Sequence, residues 1–353
     1  MNNQKIIIEA NSPTNLIYIC SYLEKDVAKN CILVWYGAKE KIDDFRLNFR
    51  SIKIPEEIIF FSSKKLSTGK FSLFEAFRYK KILKKVLNVN DQSFQLFTCF
   101  NSGIRHAILR DFLSCDEDDI FLYDDGLAGL FDFTQKYLYI KKFLYFLLNI
   151  KFEEHKKRLY ADIRLKNAIT ISPNFIFRGA NKELKIFNSS THLKEKFQQI
   201  YRDDLKEKFE PNSALFCTHH SIETGAMSEE EYFKQIVNTL SEVRKEGANK
   251  IYYKCHHTED FNLKRKRYND LGMIEVKTNN LPAEIFLFSD EIKYLATPYN
   301  SVFFVSFFLD LLKEKFIISY DLKNHSLFEE RKKLFFEISK NNKLNYKVVG
   351  LND

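Results

Sequence analysis

FLYDDGLAGL, residues 121–130, has an apolar run that reads as the end of a buried strand, followed at once by two carboxylates and a glycine. Asp and Gly are common where a strand ends and the chain reverses, so a surface turn is one reading. A ligand site is the other, because in an open parallel α/β sheet the binding crevice lies beyond the carboxyl ends of the strands. The choice depends on whether this run belongs to such a sheet.

The runs around it place it in one. KIIIE (5–9), CILVWYG (31–37), EIIFFSS (57–63), FQLFTCF (94–100) and IFLYDD (120–125) are short, β-rich and separated by longer amphipathic segments. That alternation predicts a parallel sheet covered by helices. Between them, FRYKKILKKVLNV (77–89) predicts a crossover helix with Ile82, Val86 and Leu87 on its apolar side. The pattern starts again with ALFCTHH (214–220), KIYYKCHH (250–257), MIEVKT (273–278), EIKYLATPY (291–299) and KFIISYD (315–321). Within it, Ser228 and Glu231 have capping-box spacing and open a helix expected to run to about Val243. Two such series predict an α/β protein of two Rossmann-like domains facing a central cleft, divided as 1–190 and 191–353. ITISPNFIF (169–177) and HLKEKFQQIYRDDLKEKF (192–209) read as the crossing between them.

Composition agrees and excludes other classes. A chain of 353 residues is too long for one typical core and suits two. With 45% hydrophobic residues and only 10 Gly and 6 Pro it is a folded chain and not a low-complexity one. Its six cysteines include no CxxC pair, so neither a zinc site nor a disulfide framework is indicated. The net charge of +8 is interspersed with acids, and nucleic acid is not an expected partner. No apolar run nears the roughly 20 residues needed to span a bilayer. The first residues enter a strand-like run without the apolar core of a signal peptide, so the expected location is the cytoplasm. Residues 131–158 are dense in aromatic and aliphatic side chains flanked by lysines. They read equally as a helix on the inner face of the membrane, one packed on its own core, or one packed on a second copy in a homodimer.

Four short stretches fall at strand ends or in the loops that follow: Asp124-Asp125-Gly126, Lys254-Cys255-His256-His257, Leu281-Pro282-Ala283-Glu284 and Asn300-Ser301. In this order they resemble the bacterial sialyltransferases of lipooligosaccharide and capsule synthesis and their polysialyltransferase relatives. That clan has an acidic pair before Gly, then Lys-x-His-Pro, a Pro-x-x-Glu-like element and a Ser/Thr-rich turn. The match covers about two thirds of the chain, from Asp124 to Ser301, and extends to Asn11 after the first strand and to Asn101 and Gly103 after the fourth. His257 stands where the clan has Pro, and Pro would have restricted the backbone of His256. Asn300-Ser301 replaces a run of Ser or Thr.

The resemblance implies a GT-B-type glycosyltransferase that moves a sialic acid, with inversion, from a CMP-activated donor to a hydroxyl of a surface glycan or glycolipid. Asp125 would take the proton from that hydroxyl, and Asp124 would position the loop or tune its partner. His256 would hydrogen-bond or protonate the departing phosphate, Lys254 would add positive field, and Asn300 and Ser301 would hold phosphate oxygens. Glu284, presented by Pro282, would accept hydrogen bonds from the ribose or cytosine. Asn11, Asn101, Gly103 and Gly126 would line the acceptor side. No metal or other cofactor is expected: Asp116-Glu117-Asp118 matches the D-x-D pattern of metal-dependent transferases but precedes its strand. Adjacent histidines on a strand point to opposite faces, so His219-His220 and His256-His257 are not expected to form a metal site. Should Asp125 fail as the base, Glu223 and Glu229 are the carboxylates to consider next. The alternatives are a transferase using CMP-Kdo or another nucleotide sugar on the same fold, and a non-catalytic glycan-assembly protein.

Overall fold

Ile7 and Ile8 are buried in β1 (Lys5–Ala10), as is every residue of β2 (Cys31–Trp35) and β8 (Ser213–Cys217), which is why these strands read as unbroken apolar runs. The computed structural model describes residues 5–23, 30–37, 39–61, 73–87, 93–99, 104–123, 138–147, 166–172, 183–205, 207–256, 259, 261–277, 281–322 and 328–350. The chain divides into two units, Met1–Lys196 and Phe197–Asp353.

In unit 1, β1 and β2 join β3 (Glu57–Phe60), β4 (Phe94–Thr98), β5 (Ile120–Tyr123), β6 (Asn167–Thr170) and β7 (Lys185–Asn188). All pair in parallel, in the order β3-β2-β1-β4-β5-β6-β7. Unit 2 repeats the design with β8, β9 (Ile251–Lys254), β10 (Ile274–Glu275), β11 (Ile292–Pro298), β12 (Phe316–Tyr320) and β13 (Tyr346–Val349), in the order β10-β9-β8-β11-β12-β13. Both sheets are doubly wound. The strand order reverses between β1 and β4 in the first and between β8 and β11 in the second, and these reversals are where such sheets bind ligands.

Local sequence sets the crossovers. In α1 (Pro13–Leu23), Pro13 fills the first helical position and Ser12 Oγ accepts the Asn15 N–H at 3.2 Å. In unit 1 there follow α2 (Lys39–Asn48), α3 (Leu73–Val86), α4 (Ile104–Leu113) and α5 (Leu138–Leu147), with α6 (Ser190–Asp203) at the junction. Unit 2 has α7 (Glu229–Lys245), α8 (Phe261–Asp270), α9 (Ser301–Phe308) and α10 (Phe328–Asn341). The capping box at Ser228 and Glu231 forms as expected and opens α7; a cap of this kind contributes about 1 kcal/mol. Tyr232, Ile236, Leu240 and Val243 of α7 are then buried on the sheet with Tyr253, Tyr268 and Tyr320. Each large apolar side chain so buried stabilises the unit by roughly 1.5–3 kcal/mol.

Three local expectations need correction. In α3 the buried stripe is Ala76, Tyr79 and Leu83, continued by Leu87, while Val86 is 42% exposed. Tyr79 explains the phase, since its hydroxyl bonds to that of Tyr36 in the core at 2.8 Å. The helix expected over 192–209 ends at Asp203, where consecutive acids Asp203 and Asp204 oppose the negative end of the helix dipole. ITISPNFIF holds the end of β6 within unit 1, pairing with β5 and β7.

Of the segment 131–158 only α5 is described. It buries Tyr145 and leaves Phe143 and Phe146 61% and 78% exposed. Among the described residues no helix is long and apolar enough to cross a membrane.

Candidate functional site

The carboxyl ends of β9, β8 and β11 lie side by side in unit 2, and three of the four expected stretches fall there or just behind. After Lys254 the chain leaves the sheet. The backbone N–H of His256 donates to Glu259 Oε2 at 2.8 Å and to Thr218 Oγ1 at 3.2 Å. The Thr218 hydroxyl also donates to the same carboxylate. Glu259 Oε1 accepts from Tyr268 at 2.9 Å, Lys264 at 2.9 Å and Tyr232 at 3.4 Å, and its side chain is wholly buried. This carboxylate therefore ties the loops after β8 and β9 to α7 and α8. It fixes the backbone of His256 by hydrogen bonds, at a position where the resembling clan has Pro next in sequence. His257 itself lies outside the described residues.

The histidines do not diverge as expected from strand alternation. β8 ends at Cys217, so His219 and His220 lie beyond it, and their rings stack with centroids 4.4 Å apart. His220 stacks in turn on His256 at 4.2 Å. The His219 ring bonds to Ser221 Oγ at 2.8 Å, while His220 Nδ1 is buried without a partner among the described residues. Burial pushes the His220 imidazole pKa down, with Glu223 and Glu259 opposing, which suits a ring stacked face to face on others. Imidazole lone pairs lie in the ring plane, so rings stacked in this way do not aim at a common ion. Among the described residues no group of His, Cys, Asp and Glu is arranged to hold a metal. Asp116-Glu117-Asp118 leads into β5 through a 3₁₀ turn at Glu117–Asp119, at the amino end of that strand and away from the carboxyl edge.

Lys254 and Glu284 sit on the other face of the sheet. Tyr253 and Cys255 point into the α7–α8 core, so alternation turns Tyr252 and Lys254 the opposite way. There Phe209 packs between Tyr252 and Phe286, with ring centroids 4.9 and 6.0 Å away. Phe286 and Glu284 belong to a 3₁₀ helix, Ala283–Phe288, whose entry is set by Pro282 at φ −56°. Glu284 is 6% exposed, and burial pushes its carboxyl up to about 7, opposed by a backbone hydrogen bond and by the charge of Lys254. Burial likewise lowers the Lys254 pKa, with its Nζ donating to the Cys255 carbonyl at 3.1 Å. These two groups are buried, whereas His256 and Asn300 are half-buried and Ser301 is exposed. Asn300 Oδ1 caps α9 by accepting the Val302 N–H at 3.1 Å and the Thr297 hydroxyl at 2.9 Å. Its Nδ2 donors make no hydrogen bond among the described residues.

In unit 1, Asn11 follows β1 exposed, its N–H donating to Asn15 Oδ1 at 3.3 Å. Asn101, Gly103, Asp124, Asp125 and Gly126 lie outside the described residues; the first two follow β4 in sequence and the last three follow β5 directly. The fallback carboxylates are occupied: Glu223 pairs with Lys264 at 2.9 Å and Glu229 with Arg267 at 2.6 Å. Sequence reasoning missed two groups, Glu259 and the fully buried Glu9 of β1. Glu9 had a signal, a lone carboxylate in the apolar run KIIIEA. Glu259 had none, since its partners come from separate elements.

No family model and no curated protein matches the chain in sequence. Solved structures match it over nearly its whole length. Staphylococcus aureus MnaA in its co-structure with UDP shares 12% identity over 99% of this chain and 84% of that one, with a TM-score of 0.57. The Methanocaldococcus jannaschii UDP-GlcNAc 2-epimerase in complex with UDP-GlcNAc and UDP shares 15% over 99% and 89%, at 0.56. The fold is GT-B. A third GT-B structure, the α/β-galactoside α-2,3-sialyltransferase from Photobacterium phosphoreum, shares 12% over 98% and 99%, at 0.50. At these identities the likeness is one of fold, and the GT-B fold serves epimerases and transferases alike, so chemistry has to be argued from residues.

Proposed function

We propose that this protein is an inverting, metal-independent sialyltransferase that moves sialic acid from CMP-sialic acid to a hydroxyl of a bacterial surface glycan. The observation that supports it most is the convergence at the carboxyl edge of sheet β10–β13 of His256, Asn300 and Ser301, with Lys254 and Glu284 buried behind them. These are the residues that follow Asp125 in the order of the sialyltransferase motifs.

In this reading the acceptor hydroxyl oxygen bonds to the anomeric carbon as the carbon–oxygen bond to phosphate breaks. Asp125 takes the hydroxyl proton, and CMP leaves with the bonding electrons. His256, held by its Glu259 and Thr218 hydrogen bonds, donates to the leaving phosphate, the free Nδ2 of Asn300 and the Ser301 hydroxyl hold its oxygens, and Lys254 adds field from below. The carboxyl of Glu284, near neutrality in its titration, is able to donate or accept toward the nucleoside. The donor-side unit is then Phe197–Asp353, and residues 131–158 are the candidate for membrane or dimer contact.

UDP is the competing nucleotide, because two of the solved structures of this fold are complexes with it. The melting temperature separates the readings, since a ligand that binds only the folded state stabilises it, by about 2.7 kcal/mol at a hundred times its Kd. CMP is expected to raise it, equally with and without excess EDTA, and UDP is not. A shift with UDP alone would favour a UDP-sugar enzyme on the GT-B fold, a shift abolished by EDTA would favour a metal-held donor, and no shift with either would favour a non-catalytic assembly protein.

A further inference from the structure

Glu9 is a carboxylate with no exposed surface, placed near the end of β1 where unit 1 reverses its strand order, and the proposed donor chemistry does not use it. Its Oε1 accepts the Tyr36 hydroxyl at 2.6 Å, and its Oε2 accepts the Thr98 hydroxyl at 2.7 Å. The same Oε2 lies 2.9 Å from Nδ1 of His106, in the first turn of α4. Tyr123, the last residue of β5, donates to the Glu9 carbonyl at 2.8 Å. Burial and the neighbouring Glu9 and Tyr79 drive the Tyr36 phenol pKa well up, so it stays a donor. Side chains from β4, α4 and the residue just after β2 thus converge on one carboxylate at the carboxyl edge, in the place where a doubly wound sheet presents its ligand site.

The hydrogen bonds fix the imidazole's tautomer. A carboxylate has no hydrogen to give, so Nδ1 of His106 must carry one and donate it. In the neutral ring Nε2 is then left with its lone pair, and among the described residues it has no hydrogen-bond partner. Orienting one ring nitrogen on a buried carboxylate while the other stays available is how a protein prepares an imidazole to meet a hydroxyl.

We propose that His106, oriented by Glu9, binds a sugar hydroxyl through Nε2 at the edge between β1 and β4. In taking that hydroxyl to be the acceptor's, the proposal rests on the transferase reading; the tautomer and the placement do not. Glu9 is then a positioning residue and His106 a ligand-contacting one, additional to Asp125 on the acceptor side.

His106→Asn is the informative substitution, because the Asn amide reproduces the Nδ1 donor to Glu9 and removes Nε2. The full-length protein, with no nucleotide present, is probed on an array of galactose-, N-acetylgalactosamine- and sialic-acid-terminated glycans. The wild type is expected to retain a defined set of them. His106→Asn is expected to lose about tenfold in affinity for that set, the worth of one ligand hydrogen bond whose partner is left unmet. His106→Ala, which removes Nε2 with the whole ring, is the second variant if the first does not fold. Undiminished glycan binding by a folded His106 variant overturns the proposal, and so does a wild type that retains no glycan. The CMP melting shift, run in parallel on the same samples, reports on the transferase reading alone: its absence beside a His106-dependent glycan signal removes that reading and leaves the hydroxyl site standing.

Discussion

Replacing Asp125 by Asn is expected to lower turnover of CMP-sialic acid at least about a hundredfold while leaving CMP affinity nearly intact. A positioned general base contributes typically 10²–10⁴, and Asn keeps the size of the side chain while losing its basicity. The substitution follows β5 in sequence, in unit 1, whereas the groups assigned to the nucleotide lie in unit 2, so the loss should fall on kcat and not on nucleotide binding. His256→Ala differs in kind, because a donor to phosphate acts on bound CMP as well as on the transition state. Near-normal turnover by Asp125→Asn would end its assignment as base. The carboxylates Glu223 and Glu229 are poor replacements, being tied to Lys264 and Arg267.

The second large effect is on stability. Glu259→Ala is expected to destabilise unit 2 by about 3–5 kcal/mol, the usual cost of removing one partner of a buried ion pair. Lys264 is 5% exposed at its side chain and would keep only Glu223, while Tyr268 and Thr218 would lose an acceptor and His256 its shorter backbone bond. Urea unfolding with CMP absent checks this directly. Glu259→Gln, which keeps an acceptor oxygen, should recover part of the loss, and a midpoint for Glu259→Ala equal to wild type would show that the carboxylate is not what joins these loops. A folded Glu259→Gln protein with weakened CMP binding would further indicate that the His256 backbone is held for the nucleotide.

Much of the fold was legible because parallel strands covered on both faces must be apolar throughout, and the runs from KIIIE to KFIISYD advertise that burial. β7 and β13 were not, for each is a four-residue strand at the end of its sheet and mostly only half-buried, so neither carries a continuous apolar run. The helical period at 77–89 was right and its phase wrong, since Ile82, Leu83, Val86 and Leu87 fit two stripes and only the Tyr79–Tyr36 hydroxyl contact decides between them. Of the candidate site, the residues proposed for the donor side were singled out by the order of motifs at strand ends. The histidine stack escaped because alternation was applied past the end of β8, where it no longer holds. Glu9 was readable as a carboxylate out of place in a buried strand, but its link to His106 spans 97 positions of sequence and depends on β1 and β4 being neighbours. As for the acidic pair after FLY, β5 is a strand of the doubly wound sheet, and the pair itself lies outside the described residues.

The central claim is tested most directly by incubating the protein with CMP-sialic acid and a panel of glycan acceptors in excess EDTA, and measuring CMP and product together. The account predicts CMP released one-for-one with sialylated glycan, the new linkage having the opposite anomeric configuration to the donor. No CMP release with any acceptor, or release of UDP from a UDP-sugar in its place, would contradict it.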